Sequence, residues 1–376
     1  MVTMQSWMFL SSYEKMREEI FNKMTISTLM HMDNMVMKIA FGTAVTILRN
    51  ISMDNYKGTY NHIKLEDIVN DVPVEFPVRK NSYAQTSVEN FKKIPGTPVA
   101  YWASETIITA FQEGKQMDNY IDSFQGIITG NNNKFLRFWH EVCNTKIPFH
   151  KVKMSDIDLK TQYWIPYNKG GAFRKWYGNQ EYVVNWKNGP DDKTRGKKTF
   201  QNYYLRNYVS WSYLTSSTLA TRYFPDGFLW DVAGSGIFDK SDYLFYLQGL
   251  IGSKVGIKFL KFINPTMNYQ VENILQIPVL VDETKKEIIE SIIKENIAEA
   301  KKDWDMHEVS WDFDKSPLLT YKVDARIENA YELYKQEINK RFNKLKENEE
   351  ILNDIFIKIY NLEDELTPEV SDRDIT

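Results

Sequence analysis

The sequence predicts an α/β segment at its start, a mixed α+β region through its middle and a helical region at its end. Three observations carry that reading. Residues 1–50 alternate apolar strand-like runs, TISTLMHM and TAVTILRN, with one helix-like run, YEKMREEIFNK. From 99 to 281, short β-branched and aromatic runs are separated by turn residues. From Asp282 onward the composition turns to Lys, Glu, Ile, Asn and Leu, with apolar residues at helical spacing. The boundaries that follow are 1–50, a connector over 51–98, then 99–281 and 282–376.

Taken in order, MVTMQSWMFL reads as a short buried strand ending in an aromatic-rich turn. Ser11 with Glu14 makes a capping-box start for a helix whose Met16, Ile20 and Met24 share a face. TISTLMHM and TAVTILRN follow as strands, rich in Thr, Val and Ile. Strand, helix, strand, strand is the closing third of a doubly wound α/β domain, entered without the units that would precede it. Residues from about Asn50 to Pro98 carry Pro73, Pro77, Pro95 and Pro98 and read as a connector over the surface. SETIITAFQEGK predicts a helix capped by Ser104 with Ile107, Ile108 and Phe111 buried. FQGIITGNNNKFLRFW predicts a tight turn at Gly130 and the Asn131–Asn133 run, between short strands. SDYLFYLQGLIGSKVGIKFLKFI predicts a helix. Ile327, Tyr331, Tyr334, Ile338, Phe342, Leu345, Leu352 and Ile355 form a stripe on a long packing helix.

The 376 residues suffice for two or three domains, and a net charge of -3 excludes a histone-like coat of positive charge. Any nucleic-acid contact must therefore be local. Cys143 is the only cysteine, which excludes an internal disulfide framework or a multi-cysteine zinc site and fits a reducing compartment. The N-terminus has charges at Glu14 and Lys15 and no long apolar run, so the expectation is a soluble, cytoplasmic protein with no membrane partner.

The one G-x-G, Gly234 and Gly236, has Asp239 where the third glycine of a dinucleotide loop belongs, so no cofactor loop is expected. No two of the 12 prolines are adjacent, so the chain holds no Asn-Pro-Pro-Tyr or Asp-Pro-Pro-Tyr tetrapeptide. His31, His62, His140, His150 and His307 form no tight ligand spacing, so no metal site is expected. Cys143 with His140 or His150 is a conceivable nucleophile pair, but a buried structural thiol is favoured. No catalytic residue is assigned. One stretch reverses the acidic balance: between Lys169 and Arg206 the cations outnumber Glu181, Asp191 and Asp192, with Phe173, Trp176, Tyr177, Tyr182, Trp186, Phe200, Tyr203 and Tyr204 interleaved. Cations that meet phosphate beside rings that stack on bases suit a nucleic-acid surface. Equally, the rings could be β-core and the basic loop a solvated hairpin tip.

MVTMQSWMFLSSYEKMRE, QGIITGNNNKFLRFW, GGAFRKWYGNQEYVVNW, GFLWDVAGSGIF, INPTMNYQVENILQIPV and KKDWDMHEVSWDFDKSPLL resemble, in order, successive blocks of the PglX-type adenine-specific DNA methyltransferases of BREX phage-defence systems. RFNKLKENEEILNDIFIKIYNLEDELTPEVSDRDIT is similar to their later helical region. Related blocks occur in fused type IIG restriction-methylation enzymes.

The resemblance implies that residues 1–50 are the last strands of a Rossmann-like methyltransferase sheet and that 99–281 is a target-recognition domain. It also implies that the cofactor-binding and catalytic motifs lie outside this sequence. The complete family enzyme would extrude an adenine from duplex DNA and transfer a methyl group from S-adenosylmethionine to its N6. This chain alone would hold no cofactor. Lys187, Lys193, Arg195, Lys197 and Lys198 are then candidates for phosphate contacts. Asn131, Asn132, Lys134, Arg174, Lys175 and Gln180 are candidates for base-edge or near-base contacts. The expected function is the recognition portion of such an enzyme. Two alternatives are a specificity subunit that completes a separately encoded catalytic half, and a fragment of a type IIG enzyme.

Overall fold

The computed structural model describes residues 1–81, 83–187, 198–212, 219–264 and 269–376. Two compact units share these residues: one of 1–116, 258–266 and 276–280, the other of 117–257, 267–275 and 281–376. The helices after 282 thus belong to the same unit as the strands from 117 onward.

In the first unit, β1 (Val2–Met4), β2 (Thr25–Met32), β3 (Thr43–Arg49), β4 (Lys57–Ile63) and β5 (Tyr83–Ser87) form one sheet in the order β1-β3-β2-β4-β5. Only β2 and β4 run parallel. Two strands of this sheet therefore lie within the stretch read as a connector, with a two-stranded ribbon of Ile68–Val69 and Val72–Pro73 between them. KGTYNHI has few aliphatic residues to announce a strand, but Tyr60 is fully buried in a core with Trp7, Leu29, Phe21 and Phe91.

Helix α1 (Glu14–Lys23) turns a different face inward from the one its methionines suggest. Arg17 and Phe21 are buried while Met16 is 38% exposed, and no side chain caps the helix. The reason is the Arg17 guanidinium, whose fork donates to the carbonyls of Trp7, Leu10, Gly96 and Thr97. A planar five-donor group can satisfy itself on backbone alone, which makes its burial tolerable. Helix α2 (Glu105–Glu113) begins as expected, with Ser104 Oγ accepting from the Ile107 amide at 3.2 Å and Ile107 and Ile108 buried.

The second unit is built on two four-stranded sheets. Strands β6 (Ile121–Phe124), β7 (Leu136–Phe138), β8 (Trp164–Asn168), β9 (Tyr182–Asn185), β10 (Tyr208–Trp211), β11 (Thr221–Phe224), β12 (Leu229–Trp230) and β13 (Gly236–Asp239) supply them. One sheet runs β7-β9-β8-β12, the other β11-β10-β13-β6. Their shared core is aromatic, with Tyr167, Trp186, Phe200, Tyr204, Tyr208, Phe224, Trp230 and Phe238 all buried.

The run from Leu244 breaks at Ser253, whose Oγ accepts from the Gly256 amide, so α3 (Leu244–Gly252) ends and a new helix starts. Long helices α4 (Glu283–Asp305) and α5 (Ile327–Ile359) complete the unit. Gly249 lets α3 approach closely, since a Cβ there would meet Ile293 of α4 at 3.2 Å and Phe356 of α5 at 3.2 Å. The α5 stripe is only half as drawn: Leu345, Leu352 and Phe356 are buried, but Ile327 is 73% exposed, and polar Asn348, Glu349 and Asn353 point inward. No helix of the described residues is long and apolar enough to cross a membrane.

Candidate nucleic-acid interface

The candidate contact residues nearest the N-terminal end of the second unit lie at and before β7. Asn131 Oδ1 accepts from the Lys134 amide at 3.1 Å and caps a one-turn helix over Asn132–Phe135, which leads directly into the strand. Pairing with β9 then places Phe138 opposite Tyr182. Their rings stack at 4.7 Å, and His140 stacks on Phe138 at 5.5 Å. Beside them is a groove of about 380 Å³ lined by Asn132, Arg137, Phe138, Glu141, Lys169 and Tyr182, among others.

The Arg137 guanidinium donates to the carbonyls of Asn133 and Leu136, and among the described residues no carboxylate pairs with it. Lys134 is exposed and lies over the Phe135 ring. Lys169 pairs with Asp231 at 2.7 Å. Asn131, Asn132 and Lys134 were expected at such a site; Arg137, Phe138, His140 and Lys169 were not. The alternation of FLRFWH marks a strand, but only the pairing of β7 with β9 sets Phe138 against Tyr182.

The other expected contact residues are differently placed. Lys175 is buried, its Nζ 2.6 Å from Glu349 on α5, and Trp176 Nε1 donates to the same carboxylate at 2.8 Å. Burial pushes the Glu349 carboxyl up, against the pull of Lys175. Gln180 is 2% exposed. Arg174 lies over the Trp304 ring at 5.1 Å and reaches Asp303 at 3.3 Å. Arg174 and Lys175 therefore anchor the segment to α4 and α5, and the burial of Lys175 and Gln180 leaves them no path to a base edge. Lys187 is exposed over Tyr163. Lys193, Arg195 and Lys197 lie outside the described residues, as does the side chain of Lys198. Of the interleaved aromatics, Trp176, Tyr177, Trp186, Phe200 and Tyr204 are core, and Tyr182 is the one that joins the groove's ring stack.

Immediately after β8 the chain turns through Gly170 and Gly171, with φ of 80° and 129°. A Cβ on Gly170 would meet the Ala233 carbonyl at 2.7 Å. Behind this turn Arg222 is fully buried on β11, next to Trp176, whose backbone bridges to it. Burial lowers its guanidinium to about 10, which leaves it cationic at neutral pH. It donates to Arg174 O at 2.9 Å and Ser212 Oγ at 2.8 Å, and among the described residues it has no carboxylate.

Elsewhere the structure bears on the histidines, Cys143 and the G-x-G, and it revises the reading of Cys143. Parallel pairing of β2 with β4 sets His31 opposite His62, and with Asp33 their ligand atoms fall within 4.8 Å of one another. Sequence spacing could not show this. The rings lie parallel, at 9°, so their in-plane lone pairs occupy separate planes and an ion would require one ring to turn. As they stand they are hydrogen-bonded elsewhere: His31 to Gln5 and Tyr101, His62 to Asp33. Burial, then His62, lowers the His31 pKa to about 4 and keeps it neutral. Cys143 is exposed rather than buried, because it sits between short 3-10 turns outside any sheet. Gly234 and Gly236 serve packing: added Cβ atoms would strike Asn168 and Phe238 at 2.6 and 2.9 Å.

No profile of a known protein family matches the chain. It is 35% identical to the adenine-specific methyltransferase PglX of Lacticaseibacillus casei (strain Zhang), over 100% of this chain and 33% of that protein. It is 29% identical to the adenine-specific methyltransferase BrxX of Escherichia coli O9:H4 (strain HS), over 97% of this chain and 30% of that protein. The resemblance read from the sequence thus extends over the whole chain, which spans about a third of the length of these relatives. Its fold is similar to that of the type IIL restriction-modification enzyme MmeI, solved in complex with DNA, with a TM-score of 0.51 at 9% identity, covering 98% of this chain and 47% of that one.

Proposed function

We propose that this chain, similar throughout to a third of the PglX and BrxX adenine-specific methyltransferases, supplies target recognition to an N6-adenine DNA methyltransferase of the BREX type. The observation that carries the reading is the groove beside β7. It offers an arginine with no carboxylate partner among the described residues, Asn132, whose Oδ1 accepts from Thr129 Oγ1, and a stacked Phe138–Tyr182 pair, on a chain that is net acidic. The five-stranded sheet of the first unit is read as the end of the methyltransferase sheet. Phosphate contacts come from Lys134, Arg137 and Lys187; the remaining candidates, Lys193, Arg195 and Lys197, lie outside the described residues, as does the side chain of Lys198.

Methyl transfer from S-adenosylmethionine would need a cofactor loop and a Pro-Pro tetrapeptide. The only G-x-G here lacks its third glycine and no two prolines adjoin, so no catalytic step is assigned to these residues. Recognition, not chemistry, is the role proposed for them.

The test is duplex binding by the purified chain, followed by fluorescence anisotropy across a salt series. Affinity is expected to fall log-linearly with salt, with a slope of roughly 0.9 per neutralised phosphate. Absence of salt-dependent binding overturns the proposal. A parallel titration with S-adenosylmethionine is expected to show no binding, and tight binding by the chain alone would overturn the division of labour.

A further inference from the structure

Three carbonyls at and after the Gly-Gly turn that follows β8 are held by side-chain donors. Gly171 O accepts from Ser212 Oγ at 3.0 Å, Ala172 O from Asn179 Nδ2 at 2.9 Å, and Arg174 O from Arg222 at 2.9 Å. Arg222 also donates to Ser212 Oγ at 2.8 Å, which occupies that oxygen as acceptor and turns its proton toward Gly171.

In a trans peptide the C=O of one residue and the N–H of the next point in opposite directions. Fixing the Gly171 carbonyl on Ser212 and the Ala172 carbonyl on Asn179 therefore turns the Ala172 and Phe173 amides away from those donors, to the other side of the turn. Neither amide donates to anything among the described residues, and Gly171 and Ala172 are exposed. Behind them stands the Arg222 charge, with no carboxylate among the described residues, and its Nε has no partner there. Lys169, one residue before the turn, lines the groove. Consecutive amides turned away from those donors, over a buried cation, make an anion-binding surface.

We infer that the Gly171–Phe173 turn is a seat for a phosphate group, whose oxygens take the Ala172 and Phe173 amides; Arg222, through Ser212, is the positioning residue for the Ala172 amide, and Asn179 sets the Phe173 amide beside it. The inference rests on the reading of the neighbouring groove as a DNA interface and names a backbone phosphate of that DNA as the occupant. Free inorganic phosphate is the rival source.

The full chain, isotope-labelled at alanine and phenylalanine amides, is titrated by NMR with a duplex and, separately, with inorganic phosphate at constant ionic strength. The Ala172 and Phe173 resonances are expected to move with the duplex. In Arg222→Met the Ala172 shift is lost, and the salt slope of duplex binding falls by about one. Arg222→Lys, which keeps the charge but not the fork, restores only part of the response. If the duplex binds and shifts other resonances but not these two, the seat is wrong and the groove reading stands. If inorganic phosphate shifts both amides while no duplex binds, the seat stands and the DNA reading falls. No response to either ligand overturns both. Should Arg222→Met fail to fold, Ser212→Ala removes one hydroxyl from the relay, and an unchanged Ala172 shift in that variant overturns the positioning role.

Discussion

The stretches Asn131–His140 and Arg174–Gln180 look alike in sequence: each mixes cations, amides and rings within ten residues. In the fold they have opposite fates. The first presents Asn132, Arg137 and Phe138 along a groove, with Arg137 held only by backbone carbonyls. The second is covered: Lys175 and Trp176 share Glu349, Arg174 reaches Asp303, and Gln180 is buried. The lesson is that a basic-aromatic composition marks a surface only where no distant carboxylate claims the cations. Here the claimant stands 174 positions along the chain from Lys175.

The sharpest way to break the comparison is at the covered stretch. Glu349→Ala leaves Lys175 buried without its counter-ion, and stability is expected to fall by about 3–5 kcal/mol, read as a drop in the urea midpoint. An unchanged midpoint would mean that Lys175 is free to turn outward. At the open stretch the pattern inverts: Arg137→Ala is expected to weaken duplex binding uniformly across sequences and to lower its salt slope by about one, while leaving the melting temperature nearly unchanged. A large loss of stability there would make Arg137 a structural residue like Lys175.

A partnered carboxylate in the first unit sharpens the contrast by pH. Burial raises the Asp67 pKa, but hydrogen bonds from Lys80, the Lys64 amide and Asn81 outweigh it and bring the group down to about 2. A folded-state value below the unfolded one gives stability that is present above about pH 4 and lost as the pH falls toward 2. Asp67→Asn is expected to flatten that acid limb in a pH series of melting temperatures. Glu349, raised by burial, has the opposite sign. The smallest effect is expected at exposed Lys134: Lys134→Ala should lower the salt slope of duplex binding by about one and leave the fold untouched.

Much of the local structure was legible. The Ser104 cap, the turn at Asn131, the strands TISTLMHM and TAVTILRN and the long C-terminal helix follow from propensity, capping and periodicity, which act over a few residues. Strand β4 was not legible, because its pairing with β2 and β5 is what buries KGTYNHI. Nor was the inward face of α1, since Arg17 is satisfied by carbonyls up to 80 residues away. The candidate site was half legible: the Asn131–Lys134 turn stood out, while Arg137, Lys169 and the Phe138–Tyr182 stack emerged only when β7 paired with β9.

By itself, then, the sequence determined the order of elements, the absence of a Pro-Pro catalytic tetrapeptide and the resemblance to adenine-specific methyltransferases, because each is written in neighbouring residues. Only the tertiary structure decided which cations face solvent, which histidines meet and which way the Gly170–Gly171 turn aims its amides. Those outcomes depend on partners dozens to hundreds of residues apart, and burial converts such contacts into a preference that no local pattern encodes.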